Sequence, residues 1–178
     1  MNFIKTKLDG VYIIEQNIFN DERGSFIKTF QESEFKKRNL ECDFKESYYT
    51  NSNKNVIRGM HFQIPDKEHS KLITIIHGEI MDVILDLRKS SLTFGHRIKV
   101  KLSKENGKSI YVPKGCAHGF KVLSSSALTY YMVTTEHAPL YDSGIKLDSF
   151  GCNWGAGNSI ISERDKNLVS FENFINPF

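Results

Sequence analysis

Glu79-Ile80-Met81-Asp82-Val83-Ile84-Leu85-Asp86-Leu87 alternates with a period of two, and that alternation decides the fold class. On a strand, successive side chains leave opposite faces. Met81, Val83, Leu85 and Leu87 therefore share one wholly apolar face. Ile80, Asp82, Ile84 and Asp86 share the other, which carries two carboxylates. Either that second face is an exposed sheet surface, or it lines a barrel whose lumen is polar because it holds a ligand. Upstream, Gly78 joins this run to Leu72–His77, and a glycine there implies a bend or bulge rather than a long loop.

Outward from this pair, short runs rich in Ile, Val, Tyr and Phe recur between turn residues. They are Val11–Ile18, Ser25–Phe30, Phe44–Tyr49, Val56–Phe62, Arg97–Leu102, Ser109–Val112, Gly119–Leu123 and Ala127–Thr134. Helical signal is thin. Ser33–Arg38 predicts one or two turns with Ser33 as N-cap, and the stretch after Ser162 predicts another. An all-β chain of many short strands points to a sandwich, a jelly roll or a small barrel. No strand leads through a Gly-rich turn into a helix, which disfavours a dinucleotide-binding α/β fold.

A length of 178 residues, four prolines and no Pro/Gly/Ser-rich linker predict one domain, 1–178. Twenty-four basic against twenty-one acidic residues give a net charge of +3. That is too little to argue for nucleic acid and is compatible with an anionic small molecule. The longest apolar candidate, Ile80–Leu87, is interrupted by Asp82 and Asp86, so no membrane span is expected. Met1–Gly10 lacks the apolar stretch of a signal peptide. Cys42, Cys116 and Cys152 are odd in number and far apart, as reduced thiols of a cytoplasmic protein would be.

Two polar clusters carry the candidate chemistry. The first is Asn51-Ser-Asn-Lys-Asn-Val-Ile-Arg58-Gly-Met-His61-Phe-Gln63. Arg58 and His61 are three apart and face opposite ways on a regular strand, so they share a site only if Gly59 bulges it. Otherwise Arg58 is solvated and His61 is a core histidine with one hydrogen bond. The second is Tyr111-Val-Pro113-Lys-Gly115-Cys-Ala-His118-Gly-Phe120, whose Pro-x-Gly-x-x-His pattern is the one cupin barrels use to bring a histidine into the mouth. A cupin metal centre takes a His-x-His pair, a following Glu and the later His. Here Gln63 stands at the second histidine, no glutamate follows at the usual spacing, and two histidines make a poor divalent site. Proton chemistry by side chains remains, with His61 as base, Lys71 as electrostatic stabiliser and Tyr131 as acid. Asp82, Asp86 and Asp165 are candidates to orient histidines. The bland alternatives are a surface Lys71, a Tyr131 packed beside Tyr130, and an Asp165 that caps a helix.

The motifs, taken in order, resemble the dTDP-4-dehydrorhamnose 3,5-epimerase family. They are Asp21-Glu-Arg23-Gly-Ser-Phe26, Asn51-Ser52 leading to Arg58-Gly-Met-His61-Phe-Gln63, Lys71-Leu72, Gly78-Glu-Ile-Met-Asp82-Val83, Asp86-Leu-Arg88, Pro113 to Phe120, Tyr131 ahead of Thr134-Thr135, and Ile161-Ser-Glu-Arg-Asp165. The resemblance implies a cupin-type jelly-roll barrel, a homodimer with its N-terminal strand free for intersubunit pairing, and no metal or organic cofactor. The implied substrate is a nucleoside diphosphate 4-keto sugar, inverted at C3 and C5 for a surface polysaccharide. By the same resemblance His61 is the base, Asp165 its partner, Lys71 the cation beside the enolate oxygen and Tyr131 the acid. His118 is the second histidine with Asp82 as its partner. Arg23 and Arg58 lie near the diphosphate and sugar, and Phe26 and Asn51 belong to the substrate-binding set. Lys28, Tyr49 and Glu136-His137-Ala138 depart from the family pattern at the nucleobase pocket, which opens a guanosine-linked 4-keto sugar, a heptose included, and a C3-only reaction. A metal-dependent cupin and a non-catalytic sugar-binding cupin are the other classes.

Overall fold

The computed structural model describes residues 1–178. Thirteen strands run in chain order as β1 (Asn2–Lys5), β2 (Tyr12–Glu15), β3 (Ile18–Asp21), β4 (Gly24–Ile27), β5 (Glu46–Asn53), β6 (Ile57–Gln63), β7 (Lys71–His77), β8 (Glu79–Asp86), β9 (Arg97–Ser103), β10 (Lys108–Val112), β11 (Cys116–Val122), β12 (Ser126–Val133) and β13 (Asp142–Gly144). Two short helices, α1 (Glu32–Lys36) and α2 (Glu163–Lys166), complete the regular structure, with a 3-10 turn at Phe171–Asn173.

A six-stranded sheet in the order β1-β2-β10-β7-β12-β5 faces a five-stranded sheet in the order β13-β6-β11-β8-β9. All their pairings are antiparallel and most neighbours are distant in sequence, which is the jelly-roll barrel expected. β3 and β4 form a separate hairpin outside both sheets. None of the helices is long and apolar enough to cross a membrane.

The period-two stretch resolves in favour of a polar lumen. Ile80 and Ile84 pack between the sheets with Ile73, Ile75, Ile110 and Phe120. Asp82, on that same inner face, is fully buried. Val83, Leu85 and Leu87 point out of the barrel, yet they too are buried, under Ile145, Leu147 and Phe150 of the C-terminal segment. Each such side chain stabilises the fold by roughly 1.5–3 kcal/mol, so the segment that covers β8 is held firmly. It is also the segment that brings α2 to the site. On the outer face of the six-stranded sheet, Phe35 of α1 packs with Ile14, Leu72 and Tyr111.

Gly78 makes the bend between β7 and β8 with a positive φ of +77°, and a Cβ there would sit 2.0 Å from the Ser126 carbonyl. Other expectations shift. Val11–Ile18 is two strands, because the chain leaves the sheet after Glu15 and enters the hairpin. Ser33 is inside α1, whose N-cap is Gln31, and its hydroxyl instead accepts from Gln31 Nε2 at 3.2 Å. Ser162 does cap α2, accepting from the Asp165 amide.

Candidate active site

The site begins with a bulge. β11 pairs His118 with His61 and Phe120 with Arg58, so β6 carries one extra residue where β11 has only Gly119 between. The offset turns Arg58 to the same inner face as His61. Gly59 permits it: its φ is +143° and a Cβ would lie 2.6 Å from Gly119 Cα, so two backbones meet where no side chain fits. Bulging also frees the Gly59 amide, which donates to Asp165 Oδ2 at 3.1 Å.

Asp165 accepts once more, from His61 Nε2, which lies 2.8 Å from Oδ1. Its own amide donates to Ser162 Oγ at the N-cap, which orients α2. Burial pushes the Asp165 carboxyl up, but the hydrogen bonds from His61, Gly59 and Ser162 outweigh it and hold the group below the usual carboxylate range. An ionised carboxylate only accepts, so the His61 proton sits on Nε2 and the lone pair on Nδ1. Arg58, His61, Ile160, Ser162, Arg164 and Asp165 line a cavity of about 330 Å³. Arg58 Nε is steadied by Ser52 Oγ at 2.9 Å.

Deeper in the barrel, His118 Nε2 lies 2.7 Å from Asp82 Oδ2, and both residues are buried. Burial pushes the Asp82 carboxyl up, against the pull of His118 and Lys71, and its Oδ1 has no partner. Lys71, on β7, is buried and donates from Nζ to the His61 carbonyl at 3.2 Å. Burial brings its pKa down to about 8; the fields of Asp142 and Asp82 resist this and Arg164 adds to it. At neutral pH the ammonium is retained in a site with little water to screen it. Tyr131, on β12, is buried with its ring edge-on to His118 at 6.0 Å. Burial, then the fields of Tyr48 and Asp82, raise its phenol well above the ordinary range, so it is a proton donor and not a base.

The structure thus brings His61, Asp165, Lys71, Tyr131, His118, Asp82 and Arg58 together. Four expected residues lie elsewhere. Asn51 is a correction: on β5 it shares the outer, exposed face with Tyr49, whereas Tyr48, Thr50 and Ser52 turn inward. Arg23 and Phe26 sit on the β3–β4 hairpin. Arg23 is 86% exposed and forks onto Asp21, while Phe26 leans on Phe19, and neither lines the cavity of their own chain. Asp86 orients no histidine. It stands at the far end of β8, where hydrogen bonds from Arg88, Ser91 and Thr93 overcome burial and hold it at about 2.

Gln63 is occupied structurally. Its Nε2 donates to the Lys67 and Glu136 carbonyls and its Oε1 accepts from the Ala138 amide, pinning the 136–138 loop. No three His, Cys, Asp or Glu side chains cluster in a geometry that holds a metal ion. Three further residues, Arg164, Asp142 and Tyr48, belong to the site without standing as candidates in any of the sequence motifs. Arg164 lines the cavity and pairs with Asp142 at 2.7 Å, and Tyr48 stacks on Tyr131. Only Arg164 had a local signal, its place beside Asp165.

A base held by a carboxylate, a buried cation and a protonated phenol are the parts of a deprotonation and reprotonation at carbon. Comparison with known proteins places the chain in a family. The sequence profile of the dTDP-4-dehydrorhamnose 3,5-epimerase family matches residues 5–173. The dTDP-4-dehydrorhamnose 3,5-epimerase of Methanothermobacter thermautotrophicus is 44% identical over 170 residues, 93% of this chain and 91% of that protein. The crystal structure of the enzyme of that name from Elizabethkingia anophelis superposes with a TM-score of 0.92 at 35% identity, covering 99% of this chain and 98% of that one. The dTDP-6-deoxy-D-glucose-3,5-epimerase of Legionella pneumophila, in complex with dTDP-4-keto-L-rhamnose, gives 0.92 at 34% identity, covering 97% and 93%. With its jelly roll, its His61–Asp165 pair and this likeness along nearly its whole length, the chain belongs to the dTDP-4-dehydrorhamnose 3,5-epimerase family of isomerases.

Proposed function

We propose that this enzyme epimerises a nucleoside diphosphate-linked 4-keto sugar at C3 and C5, using side chains alone for the proton transfers. The observation that carries the reading is His61, held by Asp165, in one site with the buried ammonium of Lys71 and the protonated phenol of Tyr131.

The ketone at C4 acidifies the hydrogens on C3 and C5. His61 Nδ1 takes one of them, and Asp165 stabilises the imidazolium that forms. The electron pair moves to the C4 oxygen, where Lys71 and His118 supply fixed positive charge and a hydrogen bond. Tyr131 delivers a proton to the opposite face, which inverts the carbon. Arg58 offers its planar fork to the diphosphate.

Arg23 and Phe26 belong to this reading through a homodimer. The hairpin exposes Phe19 and Phe26, and β1 is an edge strand, so a second copy has both an apolar contact and a strand to pair with. In such a dimer each hairpin would serve the partner's cavity. Three unpaired cysteines fit a cytoplasmic enzyme that supplies a sugar for a surface polysaccharide. A guanosine-linked sugar, a heptose included, with inversion at C3 alone, is the second reading, favoured by the departures at Lys28, Tyr49 and Glu136–Ala138.

The test is incubation with 4-keto sugars linked to thymidine or guanosine in deuterated buffer, with NMR locating the label. Deuterium at C3 with inverted product is expected. No exchange from any of these sugars refutes the proposal, and label at C3 alone selects the second reading.

A further inference from the structure

The proposed acid is held by aromatic packing. Thr50, diagonal to Tyr131 across β5 and β12, lies close enough to the phenol to pull its pKa down against burial, yet neither Thr50 Oγ1 nor Thr129 Oγ1 makes a hydrogen bond of good geometry. The Tyr131 ring itself packs against the edge of His118 and the face of Tyr48. Tyr48 lies directly opposite Tyr131 in the β5–β12 register, and the two rings stack at 4.7 Å with 17° between their planes.

We infer that Tyr48 is the positioning residue for proton delivery: its ring, stacked on Tyr131, holds the phenol where it reaches the sugar face opposite His61, and so sets how much of the enolate becomes inverted product. This rests on Tyr131 being the acid. The enolate has two fates. His61, now an imidazolium, can return a proton to the face it came from, which regenerates substrate. Tyr131 can deliver one to the other face, which inverts the carbon. His61 is fixed by Asp165, so its rate is set by a hydrogen bond. The Tyr131 rate depends on a ring that can swing about its side-chain torsions, and losing a stacked wall lets it populate rotamers aimed elsewhere.

Tyr48 is well placed for this and for little else. It belongs to none of the three core clusters and is partly open to solvent on the last strand of its sheet. Its loss removes a neighbour of the acid while the core stays filled. The hydroxyl of Tyr48 takes no part in the stack, so phenylalanine should preserve the effect and leucine abolish it.

The experiment compares wild type, Tyr48→Phe and Tyr48→Leu in deuterated buffer. It measures the ratio of inverted product to uninverted substrate carrying solvent label. In Tyr48→Leu the ratio should fall about three- to tenfold, the size expected for a lost aromatic pair, while KM changes little. Tyr48→Phe should stay within about twofold of wild type. A second arm needs no substrate: ring-flip rates of Tyr131 by NMR on 13C-labelled tyrosine should rise in Tyr48→Leu and not in Tyr48→Phe. An unchanged ratio in Tyr48→Leu with native circular dichroism overturns the inference. So does a fall in Tyr48→Phe as large as in Tyr48→Leu, since the stack is then not what matters. If wild type exchanges nothing, the functional proposal fails instead, and unchanged Tyr131 flipping in Tyr48→Leu would still refute the clamp.

Discussion

Replacing Lys71 with methionine should make the protein more stable and far slower. Burial brings the lysine from 10.5 down to about 8, so the fold holds the charge at a cost whenever the pH is below that value. At about 1.4 kcal/mol per pH unit, the displacement corresponds to roughly 3 kcal/mol. Methionine keeps the length of the stem in the same apolar surroundings. It gives up the hydrogen bond to the His61 carbonyl, about 1 kcal/mol. A net gain of about 2 kcal/mol at pH 7 remains, or roughly 4–8 °C in Tm for a chain of this size. The pH dependence has a definite sign. Between about pH 8 and 10.5 the unfolded lysine keeps its proton while the folded one loses it, so wild-type stability rises with pH through that window. The variant has no such group, so the gap between the two should vanish at about pH 9.5 and reverse slightly above it. Urea unfolding at pH 7 and pH 10, followed by the single tryptophan, Trp154, reads both quantities. The same substitution removes the cation beside the enolate and should lower kcat by about 10²–10³. A variant less stable than wild type at pH 7, or a gap that is the same at both pH values, would show that Lys71 is not held against its desolvation.

His61→Asn should keep its circular dichroism and lose deuterium exchange at C3, because no other group in the cavity pairs a free ring nitrogen with an ionised carboxylate; full exchange by the folded variant removes His61 from the mechanism. Tyr131→Phe should keep exchange at C3 better than it keeps inverted product, since the ring remains and the proton does not; unchanged rates and stereochemistry, followed in one NMR time course, would end the acid assignment. Calorimetric titration of the two nucleoside diphosphates should find no strong preference for thymidine over guanosine, and thymidine diphosphate binding about tenfold tighter or more, on the order of 1.4 kcal/mol, would contradict the reading of Lys28, Tyr49 and Glu136–Ala138.

Much of this site was legible where local pattern and tertiary structure agree. The alternation through Met81–Leu87 identifies β8, and the spacing of Arg58 and His61 poses the question that the Gly59 bulge answers. Legibility fails where the cause is not local. β1 and β13 are three or four residues long and have no hydrophobic period, so only their partners define them. Asn51 was off by one position in a period of two: Ser52 is the buried one, tied to Arg58, and on a strand a single residue exchanges lumen for surface. Asp142 and Arg164 meet across twenty-two positions, 164 minus 142, with no pattern linking them. Tyr48 needed the β5–β12 register, which follows from the sheet order and not from either strand alone.

Two His–Asp pairs, at 2.8 and 2.7 Å, are alike in geometry and opposite in electrostatics. Environments that push like groups apart divide acid from base. Asp165 has donors on both oxygens and is held below its usual range, so it stays ionised and favours a proton arriving on His61. Asp82 has one oxygen without a partner and is pushed up by burial. Were Asp82 freely ionised and unpaired, its charge would cancel that of Lys71 at the place where the enolate forms. Paired with His118 and raised, it leaves more of the Lys71 field for the substrate oxygen. On the proposed mechanism, removal of the proton then falls to the β6 side of the cavity and stabilisation of the enolate to β7 and β11, with the phenol of β12 as the remaining donor. The same arrangement explains why the bulge matters to the chemistry. Without the freed Gly59 amide, Asp165 would lose a donor and rise, and the difference between the two pairs would narrow.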